Sequence, residues 1–152
     1  MTIDRILERV TSFDGILVLA PEEGGPHPEI AWGDFFFYFA PDGEVPANTQ
    51  PFATIVTKDY PDDVESRLGD GRWRLNIHLG KALLEELVSD GTEPVDFAEP
   101  DAFIPHPVYG GLGWVSVVNP GERTLPRVLE LLKGAYEGAR KRAERRGQHP
   151  GS

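Results

Sequence analysis

The feature that most constrains this fold is a strict alternation of apolar and polar residues over positions 72–79. The apolar residues occupy every second position: Trp73, Leu75, Ile77 and Leu79. The residues between them are all polar: Arg72, Arg74, Asn76 and His78. Side chains of a β-strand point alternately to the two faces of its sheet, so the pattern predicts a strand with one packed face and one polar face. Half-covered sheets of this kind are usually antiparallel.

Further β-forming and helical segments surround this strand. Apolar or aromatic runs predict strands at 16–20, 30–40, 52–57 and 114–118. Helical spacing of apolar residues predicts three helices, capped or begun at Thr2, Gly80 and Thr124. We therefore expect one α+β domain over residues 1–146, in which a single antiparallel sheet is backed by an N-terminal, a middle and a long C-terminal helix. Residues 147–152 are expected to form a disordered tail.

Charge and cysteine content exclude several functional classes. The 152-residue chain has a formal net charge of -10, which disfavours unaided binding to nucleic acids or anionic membranes. It has no cysteine, so neither disulfides nor thiolate metal sites can form. The N-terminus lacks the apolar core of a secretory signal and no apolar run approaches transmembrane length, so we expect a cytoplasmic protein that does not enter membranes.

One basic stretch runs against this acidic background. Residues 140–146 hold five basic residues and one acidic one, a local charge of +4. A solvated helix end favoured by the helix dipole has this composition, and so does a nucleic-acid contact through the C-terminal helix. Binding to nucleic acid stays open as an alternative function.

The polar side of the alternating strand is the first candidate site. Arg74, Asn76 and His78 lie on it in one row. A guanidinium, an amide and an imidazole can hold an anionic or amide-bearing ligand through bidentate and charge-assisted hydrogen bonds. An ordinary open sheet face in contact with solvent has the same composition. Both interpretations stay open.

The loop before the last predicted strand is the second candidate. His106 stands between two prolines, and a glycine-rich stretch at 110–113 separates Tyr109 from Trp114. An imidazole and two aromatic side chains near one loop can form a pocket wall that binds by stacking and hydrogen bonding. A proline-locked loop whose histidine bonds a backbone group is the alternative.

Lys58 follows the strand at 52–57 and precedes several aspartates in a turn. It could bind a carbonyl or a phosphate, or pair with those carboxylates at the surface. The aspartates lack the spacing of a calcium loop and no helix carries a paired-ligand motif, so we expect no metal and no cofactor.

No nucleophile elbow or other catalytic signature is present, and we assign no catalytic residue. A small enzyme remains an alternative, with His106 or His78 as general acid or base and Lys58 as an electrostatic stabiliser.

Four segments resemble a bacterial family known as a domain of unknown function, DUF6194. They are Trp-Gly-Asp at 32–34 with the aromatic run after it, Pro-Phe-Ala-Thr-Ile-Val-Thr-Lys-Asp-Tyr-Pro at 51–61, Arg-Leu-Asn-Ile at 74–77, and His-Pro-Val-Tyr-Gly through Trp114 at 106–120. The resemblance spans most of the chain and implies a fold but no activity.

The order of elements is similar, more distantly, to YjbR/MmcQ-like proteins, whose antiparallel sheet is backed by helices and which have been suggested to bind DNA. Asn76 and Trp114 fit that order, but the loop before Trp114 has glycines and no lysine, and the chain is acidic. Small luciferase-domain proteins share the His-Pro pair at 106–107 and the Leu-Leu-x-x-Ala-Tyr motif at 131–136. Neither resemblance implies a particular chemistry here.

These observations lead us to expect a non-enzymatic domain that binds a small molecule or peptide on the polar sheet face. The expected ligand-binding residues are Lys58, Arg74, Asn76, His78, His106, Tyr109 and Trp114. The expected partner is a small molecule or a protein, and the expected oligomeric state is a monomer or weak dimer.

Overall fold

A computed structural model of the protein describes residues 2–46, 49–88 and 96–147. The helices are α1 (Thr2–Thr11), α2 (Lys81–Val88) and α3 (Leu125–Gly147). The strands are β1 (Ile16–Leu19), β2 (Phe35–Phe39), β3 (Ala53–Val56), β4 (Arg74–His78), β5 (Ile104–Pro105) and β6 (Trp114–Val118). Short 3-10 helices cover Glu29–Ala31 and Gly110–Leu112. Among these elements, no helix combines the length and apolar character needed to cross a membrane.

All six strands join one antiparallel sheet in the order β1-β2-β3-β4-β6-β5. This confirms the α+β prediction of a single antiparallel sheet with three helices, of which the C-terminal one is the longest. The chain passes from β4 through α2 and the short β5 before β6 returns to pair beside β4. The expected disordered tail at 147–152 begins at a residue that still belongs to α3, and the rest of it lies outside the described residues.

The hydrophobic core lies between one face of the sheet and the helices. Leu75 and Ile77 of β4 are fully buried there, as the alternation over 72–79 predicts. The core side chains with no exposed surface include Ile6, Val10, Phe37, Ile55, Val115, Val117, Val128 and Leu132. Tyr136 of α3 stacks on Phe13 at 4.7 Å and donates a hydrogen bond to the backbone oxygen of Asp14, which fixes α3 against the end of α1.

The strand predicted over residues 30–40 is shorter than expected. Only Phe35–Phe39 is extended in the sheet, and Glu29–Ala31 forms a helical turn instead. Gly33 adopts a φ of +86°, which a side chain would disfavour, and the chain turns there so that Asp34 points inward with no exposed surface. The aromatic content indicated a strand from residue 30 onward, but the strand begins only after this glycine.

The start of α3 is held by a carboxylate from a distant loop. Thr124 was predicted to cap this helix, but its hydroxyl donates to Oδ1 of Asp101. The same carboxylate accepts hydrogen bonds from the backbone amides of Gly121, Arg123 and Thr124. Asp101 therefore fixes the turn that leads into α3, rather than capping the amides of its first turn.

Candidate functional site

Arg74 is the centre of a buried network of polar side chains. Its side chain is 1% exposed, and its two Nη atoms donate to both carboxylate oxygens of Asp63. Nη1 also donates to Oγ of Ser66 at 3.0 Å. Burial alone would raise the pKa of Asp63, but the hydrogen bonds and charge of Arg74 outweigh it and lower that pKa. The pair is therefore an ionised, bidentate salt bridge.

Asn76 extends this network across three strands. Its Oδ1 accepts hydrogen bonds from Nε of Arg74 at 2.8 Å and from Oγ of Ser116 at 2.7 Å. Its Nδ2 donates to Oγ1 of Thr54 at 3.0 Å. Every buried side-chain nitrogen and oxygen in the described parts of the chain has a hydrogen-bond partner. The network is thus internally complete.

His106 joins the network in one defined tautomer. Its Nδ1 accepts hydrogen bonds from the backbone amides of Val108 and Tyr109, both at 3.0 Å. The ring proton of the neutral imidazole must then lie on Nε2, which faces Oδ2 of Asp63 at 3.6 Å and Nη2 of Arg74 at 3.2 Å. Burial and the charge of Arg74 lower the pKa of His106 to about 4, although nearby aspartates oppose this shift.

The polar face of β4 is consequently not open, and the expectation of an accessible row is wrong for Arg74 and Asn76. Asn76 is only 3% exposed. The physical reason is that the segment carrying Asp63 and Ser66 folds over this face and occupies the guanidinium. The alternative weighed for His106, a proline-locked loop whose histidine bonds backbone groups, is the arrangement observed.

Lys58 belongs to a second polar cluster, built around Asp34. Its Nζ donates to Oδ1 of Asp34 at 3.1 Å and to the backbone oxygen of Trp32 at 2.7 Å. Thr57 and Tyr60 donate to the same carboxylate. Desolvation, followed by the hydrogen bond and charge of Asp34, raises the pKa of Tyr60. Lys58 thus pairs with a carboxylate, but with Asp34 rather than with the aspartates that follow it.

Tyr109 lies at the outer side of the first network. Its ring contacts that of His106 with centroids 4.9 Å apart, and the residue is 45% exposed. Val108 and Leu112 of the same loop are 42% and 60% exposed. These three side chains are the solvent-accessible part of the second candidate site, in which His106 and Trp114 are buried.

His78 and Trp114 lie at the opposite end of the paired strands. They form the last pair of the β4–β6 ladder, and their rings are 5.4 Å apart. Burial and then the charge of Arg142 lower the pKa of His78, which a hydrogen bond with the Leu112 backbone partly offsets. Strand alternation predicted that His78 would share a site with Arg74, but β4 ends at His78 and the two side chains belong to different surroundings.

Two grooves meet at His78 and Arg142. The smaller, of about 240 Å³, is lined by these two residues with Ala139 of α3, Phe39 of β2 and residues 49–51. The larger, of about 380 Å³, runs along α3 beside Leu79 and Gly80. The two residues shared by both grooves carry basic groups, so this end of the molecule combines open space with positive charge.

The structure therefore divides the predicted site into three places. Arg74, Asn76 and His106 share the buried network, Lys58 lies in the Asp34 cluster, and His78 with Trp114 borders the grooves. Whether any of these residues binds a ligand stays a prediction. Among the described residues, no group of three or more His, Asp or Glu side chains could hold a metal ion.

Sequence reasoning did not identify three residues that lie beside the predicted ones. Asp34 binds Lys58, Asp63 binds Arg74, and Arg142 lines the same grooves as His78. Arg142 was visible only as one member of the basic stretch 140–146. Asp34 stands in the Trp-Gly-Asp segment at 32–34, which carried the family resemblance without a stated role. The signal available for Asp63 was its position in an acidic turn, which does not identify the cation it would pair with.

Comparison with known proteins gives one result. The model of a family described as a family of unknown function, DUF6194, matches residues 1–148. No curated protein and no solved structure matches the chain. The distant similarity to YjbR/MmcQ-like proteins stays a prediction.

Proposed function

Because the chain belongs to DUF6194, a family of unknown function, its role has to come from its own residues, and we propose that it binds a small anionic molecule between the end of β4 and α3. The observation that carries this proposal is the meeting of His78 and Arg142 at the wall shared by two grooves. This function retains the expected small anionic ligand and one expected residue, His78, and it moves the site away from the covered sheet face.

The electrostatics of this wall favour an anion. The charge of Arg142 contributes to lowering the pKa of His78, so the two groups lie close enough to repel each other when both are charged. An anion between them would interact favourably with the guanidinium and with the protonated imidazole. Binding should therefore be coupled to proton uptake by His78.

The helix wall leaves room for a ligand. Gly134 and Gly138 face the larger groove together with Ala135. A Cβ atom on Gly134 would meet no atom within 4 Å. A Cβ atom on Gly138 would lie 3.3 Å from Nη1 of Arg142, so a side chain there would press against the guanidinium. The glycines keep both the groove and the arginine accessible.

Two of the three residues considered for catalysis, His106 and Lys58, are engaged elsewhere, which leaves His78 without the second group that a general acid–base mechanism was expected to use and argues for binding without turnover. Nδ1 of His106 accepts hydrogen bonds from two backbone amides, and Nε2 carries the ring proton. Neither nitrogen can therefore accept a proton from a substrate. Lys58 is held by Asp34 and a backbone oxygen. The proposal therefore assigns no catalytic residue.

A titration with inorganic phosphate, followed by NMR, tests the proposal. We expect phosphate to shift the backbone amides of His78 and Gly138 and to raise the pKa of the His78 ring. Removing a charge-assisted hydrogen bond costs about 1.5–3 kcal/mol, so Arg142→Ala should weaken phosphate binding by roughly tenfold or more. His78→Ala should weaken it and abolish proton uptake.

The matched control is Arg140→Ala. Arg140 is a neighbouring arginine on the same helix that lines neither groove. Its removal changes the net charge by the same amount and should leave phosphate affinity within about twofold, because exposed charges are strongly screened. Equal losses in Arg140→Ala and Arg142→Ala, or no phosphate-dependent shift in the native protein, would refute the proposed site.

A further inference from the structure

We propose, resting on the function above, that the ligand is amphipathic: an anionic head held by His78 and Arg142, with an apolar chain lying along α3. The larger groove extends far beyond the space that an anionic head needs. Its volume of about 380 Å³ falls in the range of roughly 300–1,000 Å³ typical of small-molecule sites. The character of its walls indicates what fills the remainder.

Four apolar side chains contribute to those walls. Leu79 and Leu83 line one side and Leu131 and Ala135 the other. Leu131 and Ala135 are 4% and 8% exposed, and Leu79 and Leu83 are half-buried. An apolar chain in the groove would remove the remaining exposed surface of these residues from water, which is favourable. A purely polar anion would leave it hydrated.

The groove is elongated, and its charges lie at its ends. Arg142 and Leu131 are eleven positions apart on α3, which corresponds to about 16 Å at a rise of about 1.5 Å per residue. At the far end, Arg127 and Glu130 lie 3.8 Å apart and compensate each other. The basic end therefore fixes the head of the ligand, and the chain extends toward the neutral end.

Gly134 stands in the middle of this path. It is exposed, and a Cβ atom there would enter open space. A large side chain at this position would occupy the path of the chain without touching the basic residues. Glycine is also a poor helix former, so its replacement should favour α3.

The experiment compares heads with and without a chain. The affinity of the protein for octanoate is compared with that for acetate, and its affinity for octyl phosphate with that for inorganic phosphate. NMR shifts and calorimetry are the readouts, and all amphiphiles are kept below their aggregation concentrations. We expect each chain-bearing anion to bind at least tenfold more tightly than its head alone. The tighter of the two octyl compounds identifies the preferred head.

The Gly134→Leu variant distinguishes binding of the ligand's apolar chain from binding of its anionic head. It should abolish the advantage of octanoate over acetate while the phosphate shifts at His78 remain. Glu137→Leu is the control, because it adds the same side chain at an exposed position of the same helix that lines neither groove, and its loss of negative charge cannot weaken anion binding.

These measurements distinguish failure of the amphipathic-ligand proposal from failure of the anion-site proposal. If phosphate binds at His78 and octanoate is no tighter than acetate, the amphipathic ligand is overturned and the anion site stands. An advantage of octanoate that survives in Gly134→Leu likewise overturns the chain path along α3. If neither phosphate nor octanoate shifts the groove residues, both proposals are overturned.

Discussion

Arg74 has an unusual position for an arginine, because its guanidinium is buried on a sheet face and all its nitrogens have acceptors there. Asp63 supplies the opposite charge, Asn76 accepts from Nε, and the imidazole of His106 packs beside the guanidinium without accepting from it. Breaking a buried ion pair by removing one partner costs about 3–5 kcal/mol, since a charge is left uncompensated. These residues are therefore first of all a structural unit.

The titration of His106 gives this unit a measurable pH dependence. Its pKa is about 4 in the folded protein and about 6.5 when unfolded, so the unfolded chain binds more protons between these values. The stability contributed by the neutral imidazole is complete above about pH 6.5 and falls as the pH drops toward 4, by at most roughly 3 kcal/mol. Urea unfolding at a series of pH values should show this loss.

His106→Asn is the informative variant for this test. Its amide oxygen can accept the Val108 and Tyr109 amides as Nδ1 does, but it does not titrate. The pH dependence between about 4 and 6.5 should become shallower in this variant. His78→Gln controls for the second histidine whose pKa is lowered. An unchanged slope in His106→Asn would contradict the assigned protonation state.

Single residues also mark how far sequence reasoning extends. The alternation over 72–79 predicted correctly which side chains of β4 face the core, because strand periodicity is a local property. It could not predict that Asp63 and Ser66 cover the other face, because they lie in an irregular segment without periodicity. The proximity of His78 to Arg142 brings together residues far apart in the chain, and no local pattern specifies it.

Between the elements, the tightest approach in the candidate region joins the end of β4 to the start of β6. The backbone amides of Leu79 and Gly80 both donate to the oxygen of Gly113. A Cβ atom on Gly113 would lie 2.6 Å from the backbone of Gly80, and its φ is +90°. The glycine in the loop before Trp114 therefore permits a backbone contact that holds the last β4–β6 pair in place.

Gly113→Ala should consequently be strongly destabilising. The backbone overlap and the left-handed conformation together should cost at least about 3 kcal/mol. The atoms that the new Cβ would meet belong to the backbone of Gly80, which cannot move aside as a flexible side chain could. Gly111→Ala is the matched control, since nothing lies within 4 Å of its Cβ position. It should stay within about 1 kcal/mol of the native protein. Urea unfolding measures both, and equal stabilities would show that the close contact is unimportant.

The helices and strands themselves were largely predictable, and the exceptions have physical causes. The sheet, its antiparallel pairing and the three helices follow from periodicity and turn residues. Two segments differ: the helical turn Glu29–Ala31 within a predicted strand, and the two-residue strand β5 in a predicted loop. Both are short, and their conformations depend on neighbours rather than on local composition.

For the whole molecule, the distribution of charge decides between candidate partners. The net charge is -10, and the basic stretch at 140–146 is not a uniform surface of free cations. Arg140 bonds Glu144, and Arg142 lines the grooves at His78. This arrangement favours a single small anion in a groove over an extended polyanion, which the rest of the surface would repel.

We accordingly expect no association with DNA. A short duplex should show no retardation or anisotropy change with the native protein at an ionic strength of about 0.15 M. Binding that weakens steeply with salt and is lost in a Lys141→Ala, Arg145→Ala double variant would contradict this expectation and restore a nucleic-acid role for the helix end.

The buried arginine of β4 also restricts how the chain can misfold. A slip of this strand by one residue against β3 and β6 would exchange its two faces. The guanidinium of Arg74 would then enter the apolar layer that Leu75 and Ile77 now fill, and it would lose Asp63. An uncompensated charge in that layer costs several kcal/mol, a large fraction of the stability of a domain this size. The buried ion pair therefore disfavours this slipped register relative to the native one, and sheets mispaired in this way should be sparsely populated.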